Sequence, residues 1–300
     1  LDSLNLMEAT TVARVLDEAA RRLAHAGVPT PETDARLLLG RVLGRKPLDL
    51  VLEGGRLSLT SAEEKRFAAL LDGRAARRPL QHLLGDVEFY GRCFRVAPGV
   101  LIPRPETEAV VEAALAVLDA SVPGHPGPGF RASVADIGSG TGVIGLTLAA
   151  ERPTIHVWCV DRDAAAAALT AENAAALAVG ERVGVLRGDG MAPLARSAFD
   201  VVVSNPPYLA SDTIPTLEPE VRDHDPRSAL DGGPDGLEMV RRLLGEAGQV
   251  LRPGGHLVVE IGHDQGEAVT RLAAKHAWQE VAIRPDLAGF DRALVARRAA

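Results

Sequence analysis

Ser133-Val134-Ala135-Asp136-Ile137-Gly138-Ser139-Gly140-Thr141-Gly142 carries the strongest structural signal in the chain. It opens as an apolar strand and breaks into three alternating glycines. An apolar helix follows through Ile144, Leu146, Leu148 and Ala149. Strand, glycine loop and helix in that order set a ligand over a helix N-terminus and begin an α/β unit. Glycines there permit close backbone approach and φ values that larger residues resist. No Gly-Lys-Ser/Thr ends the loop, which excludes a triphosphate P-loop. Val143 stands where a dinucleotide loop has its last glycine, so NAD falls behind S-adenosylmethionine as the expected cofactor.

Working downstream, a strand over residues 155–160 ends at Asp161. A carboxylate at that point can accept from both hydroxyls of a ribose; a plain helix cap is the competing reading. An alanine-rich helix over 164–178 and a strand over 183–186 lead to Gly188-Asp189-Gly190-Met191. Asp189 can accept from an adenine amino group, with Gly190 and Met191 as part of the adenine wall; an ordinary polar turn is the alternative. The run over 199–204 then reads as a buried strand that delivers Asn205-Pro206-Pro207-Tyr208. The two prolines stop the strand and stiffen the loop at its end.

Asn205 offers an amide oxygen and an amide nitrogen, and Pro206 leaves its carbonyl free to accept. Together they can hold both N–H bonds of a planar NH2 group, with Pro207 stiffening the loop and Tyr208 packed over the bound group. That suits methyl transfer to an amide or exocyclic nitrogen, whose lone pair is delocalised. Orientation and transition-state electrostatics carry such a reaction, and no strong base is required.

Upstream, Val12, Val15, Leu16, Ala19, Ala20 and Leu23 keep a helical period that Gly27 stops. Thr30-Pro31 reads as an N-cap and first helical position, and Thr60 with Glu63 as a capping box before Phe67, Leu70 and Leu71. Residues 1–85 are therefore expected to form a helical bundle. Val87, Phe89 and Tyr90 before Gly91, and Cys93, Phe94 and Val96 after it, suit a short hairpin. Ile102-Pro103-Arg104-Pro105-Glu106-Thr107-Glu108 follows, either as a helix cap or as a rigid wall beside the site.

The formal net charge of -7 argues against broad nucleic-acid binding. Residues 1–85 hold 13 Lys/Arg against 11 Asp/Glu, and the remainder 20 against 29. Arg74, Arg77 and Arg78 form a basic cluster that is either a solvated face or a contact for a macromolecular substrate. Cys93 and Cys159 belong to no metal pattern and read as small apolar strand residues in a cytoplasmic protein. No signal peptide or membrane span is expected. Glu218, Glu220, Asp223, Asp225 and Asp231 form an acidic loop region that reads as a channel rim or polar loop before a metal site. A helix over 237–251, a turn at Pro253-Gly254-Gly255 and strands over 256–261, 280–284 and 293–295 complete the pattern.

Taken together, these stretches resemble the bacterial peptide chain release factor glutamine N5-methyltransferases, within the class I S-adenosylmethionine-dependent methyltransferases. The likeness includes the 102–108 and 136–142 stretches and Asn205-Pro206-Pro207-Tyr208. It continues through Glu220-Val221-Arg222-Asp223-His224, Ala229-Leu230-Asp231-Gly232-Gly233 and Asp286-Leu287-Ala288-Gly289-Phe290-Asp291-Arg292. The resemblance implies an α/β, seven-stranded Rossmann-like sheet with an antiparallel strand at its edge late in the chain. It implies a helical substrate-recognition domain (1–85), a β-hairpin joint (86–103) and a methyltransferase domain (104–300). The implied substrate is the glutamine of a Gly-Gly-Gln loop in class 1 release factors, bound by a monomer without stable nucleic acid. S-adenosylhomocysteine is the implied product. Gly138, Ser139, Gly140, Thr141 and Gly142 would cradle the cofactor and Asp161 its ribose, with Asp189, Gly190 and Asn205 also touching it. Asn205, Pro206, Pro207 and Tyr208 would form the glutamine pocket, Asn205 and Pro206 being the catalytic pair. The family often has glutamate where Asp225 stands, and an aromatic where Gly190 stands. A ribosomal-protein glutamine, adenine N6 in DNA, or a noncatalytic binding module are the rival readings.

Overall fold

The apolar spacing before residue 85 becomes five helices packed on one another. In the computed structural model, which describes residues 11–53, 57–120 and 132–299, these are α1 (Val12–His25), α2 (Pro31–Leu43), α3 (Pro47–Glu53), α4 (Ser61–Ala75) and α5 (Leu80–Leu84). Val12, Ala19 and Leu23 of α1 meet Leu38 and Leu39 of α2 and Phe67 and Leu71 of α4 in one core. Gly44, at φ 64°, ends α2 in the left-handed conformation that glycine tolerates. The Thr60–Glu63 capping box is present, with Thr60 N donating to Glu63 Oε2 at 2.7 Å. Thr30 behaves otherwise: its hydroxyl donates to Asp34 Oδ1 at 2.8 Å instead of accepting from a helix N–H.

The rest of the chain supplies β1 (Asp86–Phe89), β2 (Arg92–Arg95), α6 (Glu108–Ala120), β3 (Ser133–Ile137), α7 (Val143–Glu151), β4 (His156–Asp161), α8 (Ala164–Ala176), β5 (Val183–Arg187) and β6 (Phe199–Ser204). It continues with the short turns α9 (Pro219–Arg222) and α10 (Arg227–Leu230), then α11 (Glu238–Val250), β7 (Leu251–Glu260), α12 (Gly266–Lys275), β8 (Gln279–Pro285) and β9 (Asp291–Arg297). Backbone proximity groups the chain into two units. One holds the residues through Gly85 together with Pro219–His224; the other holds Asp86–Glu218 and Asp225–Ala300.

Within the first unit, two of the three clustered arginines are turned to internal partners, and Arg78 is exposed. Arg74 is buried, donating from Nε to Asp34 Oδ2 at 2.6 Å and from Nη1 to Glu220 Oε1 at 2.7 Å. Arg77 donates to the same carboxylate at 2.6 Å. Burial raises the Glu220 pKa, but the Arg77 and Arg74 hydrogen bonds outweigh it and bring it down to about 2. Arg74 and Arg77 are thus spent on internal pairing, and Glu220 of the acidic loop is their shared partner.

In the second unit, β1 and β2 pair through a two-residue turn at Tyr90 and Gly91, both at positive φ, the geometry that matches strand twist. Phe89 and Phe94 meet edge to face at 6.1 Å and join the core. Cys93 of β2 faces solvent, whereas Cys159 is buried in β4, so the small-apolar reading holds for Cys159 alone.

Seven strands form one sheet in the order β5-β4-β3-β6-β7-β9-β8. β3 and β6 lie side by side and parallel at its centre. Val134, Val201 and Val203 face one core, and Ala135, Ile137 and Val202 the other. Burial on both faces explains the unbroken apolar runs, each fully buried valine contributing about 1.5–3 kcal/mol. The antiparallel strand is not at the edge, as expected, but inserted: β9 lies between β7 and β8 and is antiparallel to both. The reason is local. A turn through 286–290, closed by Asp286 accepting from Ala288 N and Phe290 N, folds β9 back along β8 into the open position beside β7. Pro253-Gly254-Gly255 also differs, because β7 starts at Leu251 and carries these residues as an irregularity opposite Phe199 and Val201.

Candidate active site

The adjacent ends of β3, β4, β5 and β6 open on one cleft, the place where parallel α/β sheets hold ligands. Its lining includes Gly138, Ser139, Gly140, Thr141, Asp161, Asp189, Gly190, Asn205, Pro206 and Pro207. Gly142 and Tyr208, also named from the sequence, are not among the lining residues.

After β3 the chain turns through Gly138, Gly140 and Gly142 at φ 71°, 58° and 84°. A Cβ on Gly138 would meet nothing within 4 Å, so this side of the loop is open. At Gly142 a Cβ would lie 2.8 Å from Leu146 Cδ1 and 2.9 Å from Thr170 Cγ2, so this glycine serves packing behind the loop. Ser139 and Thr141 side chains are buried. Thr170 donates to Gly140 O at 2.9 Å and Asn173 to Thr141 O at 2.9 Å, pinning the loop from α8. Asp136, just before the glycines, is also buried; burial pushes its pKa up to about 7, while the Gly145 N–H donating to Oδ2 at 2.9 Å pulls it down.

Asp161 ends β4 inside the cleft. Its Oδ2 accepts from Gly140 N and its Oδ1 from Asp163 N, each at 2.9 Å. Each oxygen keeps a further lone pair, so the carboxylate is preset and still able to accept. Open glycine backbone and an oriented carboxylate fit a cofactor with a sugar and an aminoacyl chain. At Asp189 the arrangement is unforeseen. Arg242 Nη1 of α11 donates to Asp189 Oδ1 at 2.9 Å, and this hydrogen bond holds the Asp189 pKa low. A Cβ on Gly190 would lie 2.8 Å from Arg242 Nη2, so the guanidinium fills the space a side chain there would take. Met191 is buried in the core and does not form the wall.

At the end of β6, Ser204 Oγ donates to Ile137 O at 2.7 Å and ties the strand to β3. Asn205 Nδ2 donates to Thr107 Oγ1 at 3.2 Å. Thr107 comes from a 3-10 turn, Pro105–Thr107, that leads directly into α6. The stretch is therefore both a helix entry and a wall of the cleft. Arg104 donates to the buried Asp225 at 2.5 Å, and Glu108 accepts from Tyr90 N at 2.9 Å. The Tyr208 carbonyl accepts from Gln265 Nε2 at 2.9 Å. Its phenol pKa is raised by burial and by the charge of Glu260. Thr107, Arg242 and Glu260 are the residues that sequence reasoning missed. Thr107 lies in the proline-flanked stretch over 102–108; the other two resemble any helix surface and any strand end. Glu220, Asp223 and Asp231 of the acidic loop have partners of their own, and among the described residues no three His, Cys, Asp or Glu converge as a metal site.

Sheet order and cleft define the class: an S-adenosylmethionine-dependent methyltransferase of the α/β, Rossmann-like kind. A family model described as PrmC N-terminal domain matches residues 14–85, and one described as Methyltransferase small domain matches residues 113–217. A release factor glutamine methyltransferase of Moorella thermoacetica is 45% identical over 291 residues, 96% of this chain and 99% of its own. One of Caulobacter vibrioides is 40% identical over 285 residues, 95% and 96% of the two chains. The METTL16 methyltransferase domain superposes with a TM-score of 0.50 at 15% identity, covering 66% of this chain and 84% of that one, a likeness of fold. The chain belongs to the release factor glutamine methyltransferase family.

Proposed function

We propose that the chain transfers a methyl group from S-adenosylmethionine to the side-chain amide nitrogen N5 of the glutamine in the Gly-Gly-Gln loop of class 1 release factors. The observation that carries this reading is the placement of Asn205 and Pro206 in the same cleft as the open glycine loop. Bound there, the cofactor supplies an electrophilic methyl on a sulfonium. Gly138 and Gly140 bring backbone close to it, and Asp161 accepts from its ribose. Arg242, held by hydrogen bonds to Asp189 and Glu246, would form the adenine wall in place of a side chain at Gly190.

Asn205 Oδ1 and the Pro206 carbonyl accept the two N–H bonds of the substrate amide. Both acceptors raise electron density on nitrogen and aim its lone pair, and the stiff proline pair keeps them from relaxing. Pro207 closes the loop behind them. The proton leaves after attack, because the methylated nitrogen becomes acidic as positive charge develops. The helical unit grips the release factor through surfaces other than Arg74 and Arg77, and the enzyme works as a cytoplasmic monomer; Cys93 and Cys159, joined in no disulfide, support that compartment.

The test incubates the purified chain with labelled S-adenosylmethionine and folded release factors and locates the label by mass spectrometry. Label on the Gly-Gly-Gln glutamine is expected. Label elsewhere, or none from protein that binds cofactor in calorimetry, rejects the reading. Asn205→Ala should lower kcat by about 100-fold or more, the scale of losing one transition-state hydrogen-bonding group, with cofactor affinity nearly unchanged.

A further inference from the structure

We propose that Glu260 is a positioning residue that decides which end of the Asn205 amide faces the substrate. The inference rests on the amide-clamp reading of Asn205. Glu260 ends β7, is fully buried, and neither carboxylate oxygen completes a hydrogen bond. A buried carboxylate whose hydrogen bonds stay incomplete is costly, and a position that keeps one invites a role beyond packing.

The groups facing it are Thr107 and Glu106 from the turn before α6, Tyr208 from the loop after β6, and Arg292 from β9. Burial pushes its pKa up to about 7; the Thr107 and Tyr208 hydroxyls and the Arg292 charge pull it down, and Glu106 pushes it up. Thr107 is the shared member, since its Oγ1 already accepts from Asn205 Nδ2 at 3.2 Å. A hydroxyl in that position has one hydrogen left to give, and ionised Glu260 is the acceptor beside it. A small closing movement then aligns Asn205 N–H, Thr107 O–H and the carboxylate, each bond polarising the next. Asn205 Oδ1 is left facing the substrate N–H, as the clamp requires.

Protonated Glu260 reverses the order. It donates to Thr107 Oγ1, the threonine hydrogen turns to Asn205, and only the amide oxygen can receive it. The amide turns over and presents NH2 to the substrate NH2, two donors face to face.

Glu260→Gln is a lasting mimic of the protonated form. We expect a kcat that stays about 10- to 100-fold below the parent's high-pH plateau and meets the parent's value at acid pH, with release-factor KM and calorimetric cofactor Kd within about twofold of the parent. The parent should show an acid limb in its kcat–pH profile near the Glu260 pKa of about 7, and the variant should lack it. Unchanged kcat with the acid limb kept overturns the proposal. Should Glu260→Gln fail to fold, Thr107→Ser and Thr107→Val decide. The hydroxyl-bearing variant should keep turnover and the isosteric one lose it, and equal rates overturn the relay. Asn205→Ala in the same assay separates the two levels. Full turnover there removes the clamp itself, whereas a dead Asn205→Ala beside a fully active Glu260→Gln removes the relay alone.

Discussion

In the proposed reaction Asn205 acts through an amide that never titrates, so its value lies in orientation, and orientation is given by neighbours. Its own identity was legible in the sequence, because an amide between an apolar run and two prolines has few other uses. Its neighbours were not. Thr107 stands 98 positions earlier in the chain. Arg242 meets Asp189 across 53 positions, and nothing in its helix marks it as special. If its guanidinium walls the adenine, Arg242→Ala should weaken S-adenosylmethionine binding about 5- to 10-fold, a desolvated stacking contact being worth about 1–2 kcal/mol. Calorimetry reads this directly. Unchanged affinity would return the wall to the residues around Asp161.

Single elements show the same division. α4 could be drawn from its capping box and apolar stripe, and α7 from the glycines before it. What α4 carries on its inner side could not. Arg74 looked like part of a surface charge run, yet it is 5% exposed and holds Asp34 of α2. Arg74→Ala leaves Asp34 buried without its cation, which should cost the helical unit about 3–5 kcal/mol. Urea denaturation followed by circular dichroism measures it. A loss below about 1 kcal/mol would show that water reaches the pair and screens it. β9 is the corresponding case in the sheet. Its apolar residues predicted a strand, but a strand pattern is silent on which neighbours it finds.

Across the whole molecule, two buried carboxyls make stability depend on pH. Asp136 and Glu260 each have a folded pKa of about 7, raised mainly by burial from ordinary values of 3.8 and 4.5. The sign comes from linkage: a raised folded pKa contributes stability that is complete below the unfolded value and is lost as pH rises through the folded one. The window therefore runs from about pH 4 to somewhat above pH 7, and the losses are on the order of 4 kcal/mol for Asp136 and 3 kcal/mol for Glu260. Asp136→Asn removes one of these losses. Relative to the parent, its unfolding free energy should gain by that order between about pH 4 and pH 8. A difference that stays flat over this range would mean that Asp136 is ionised in the folded state at little cost. The sequence alone determined the succession of the sheet strands and the longer helices, the glycine loop and the proline-stiffened amide. Those follow from periodicity and from backbone sterics acting within a few residues. Only the tertiary structure decided that β9 enters the sheet between β7 and β8, that Arg242 fills the space at Gly190, and that Asn205, Thr107 and Glu260 meet. Such meetings depend on how distant strands and helices register against each other, and that register is set by the packing of the entire core.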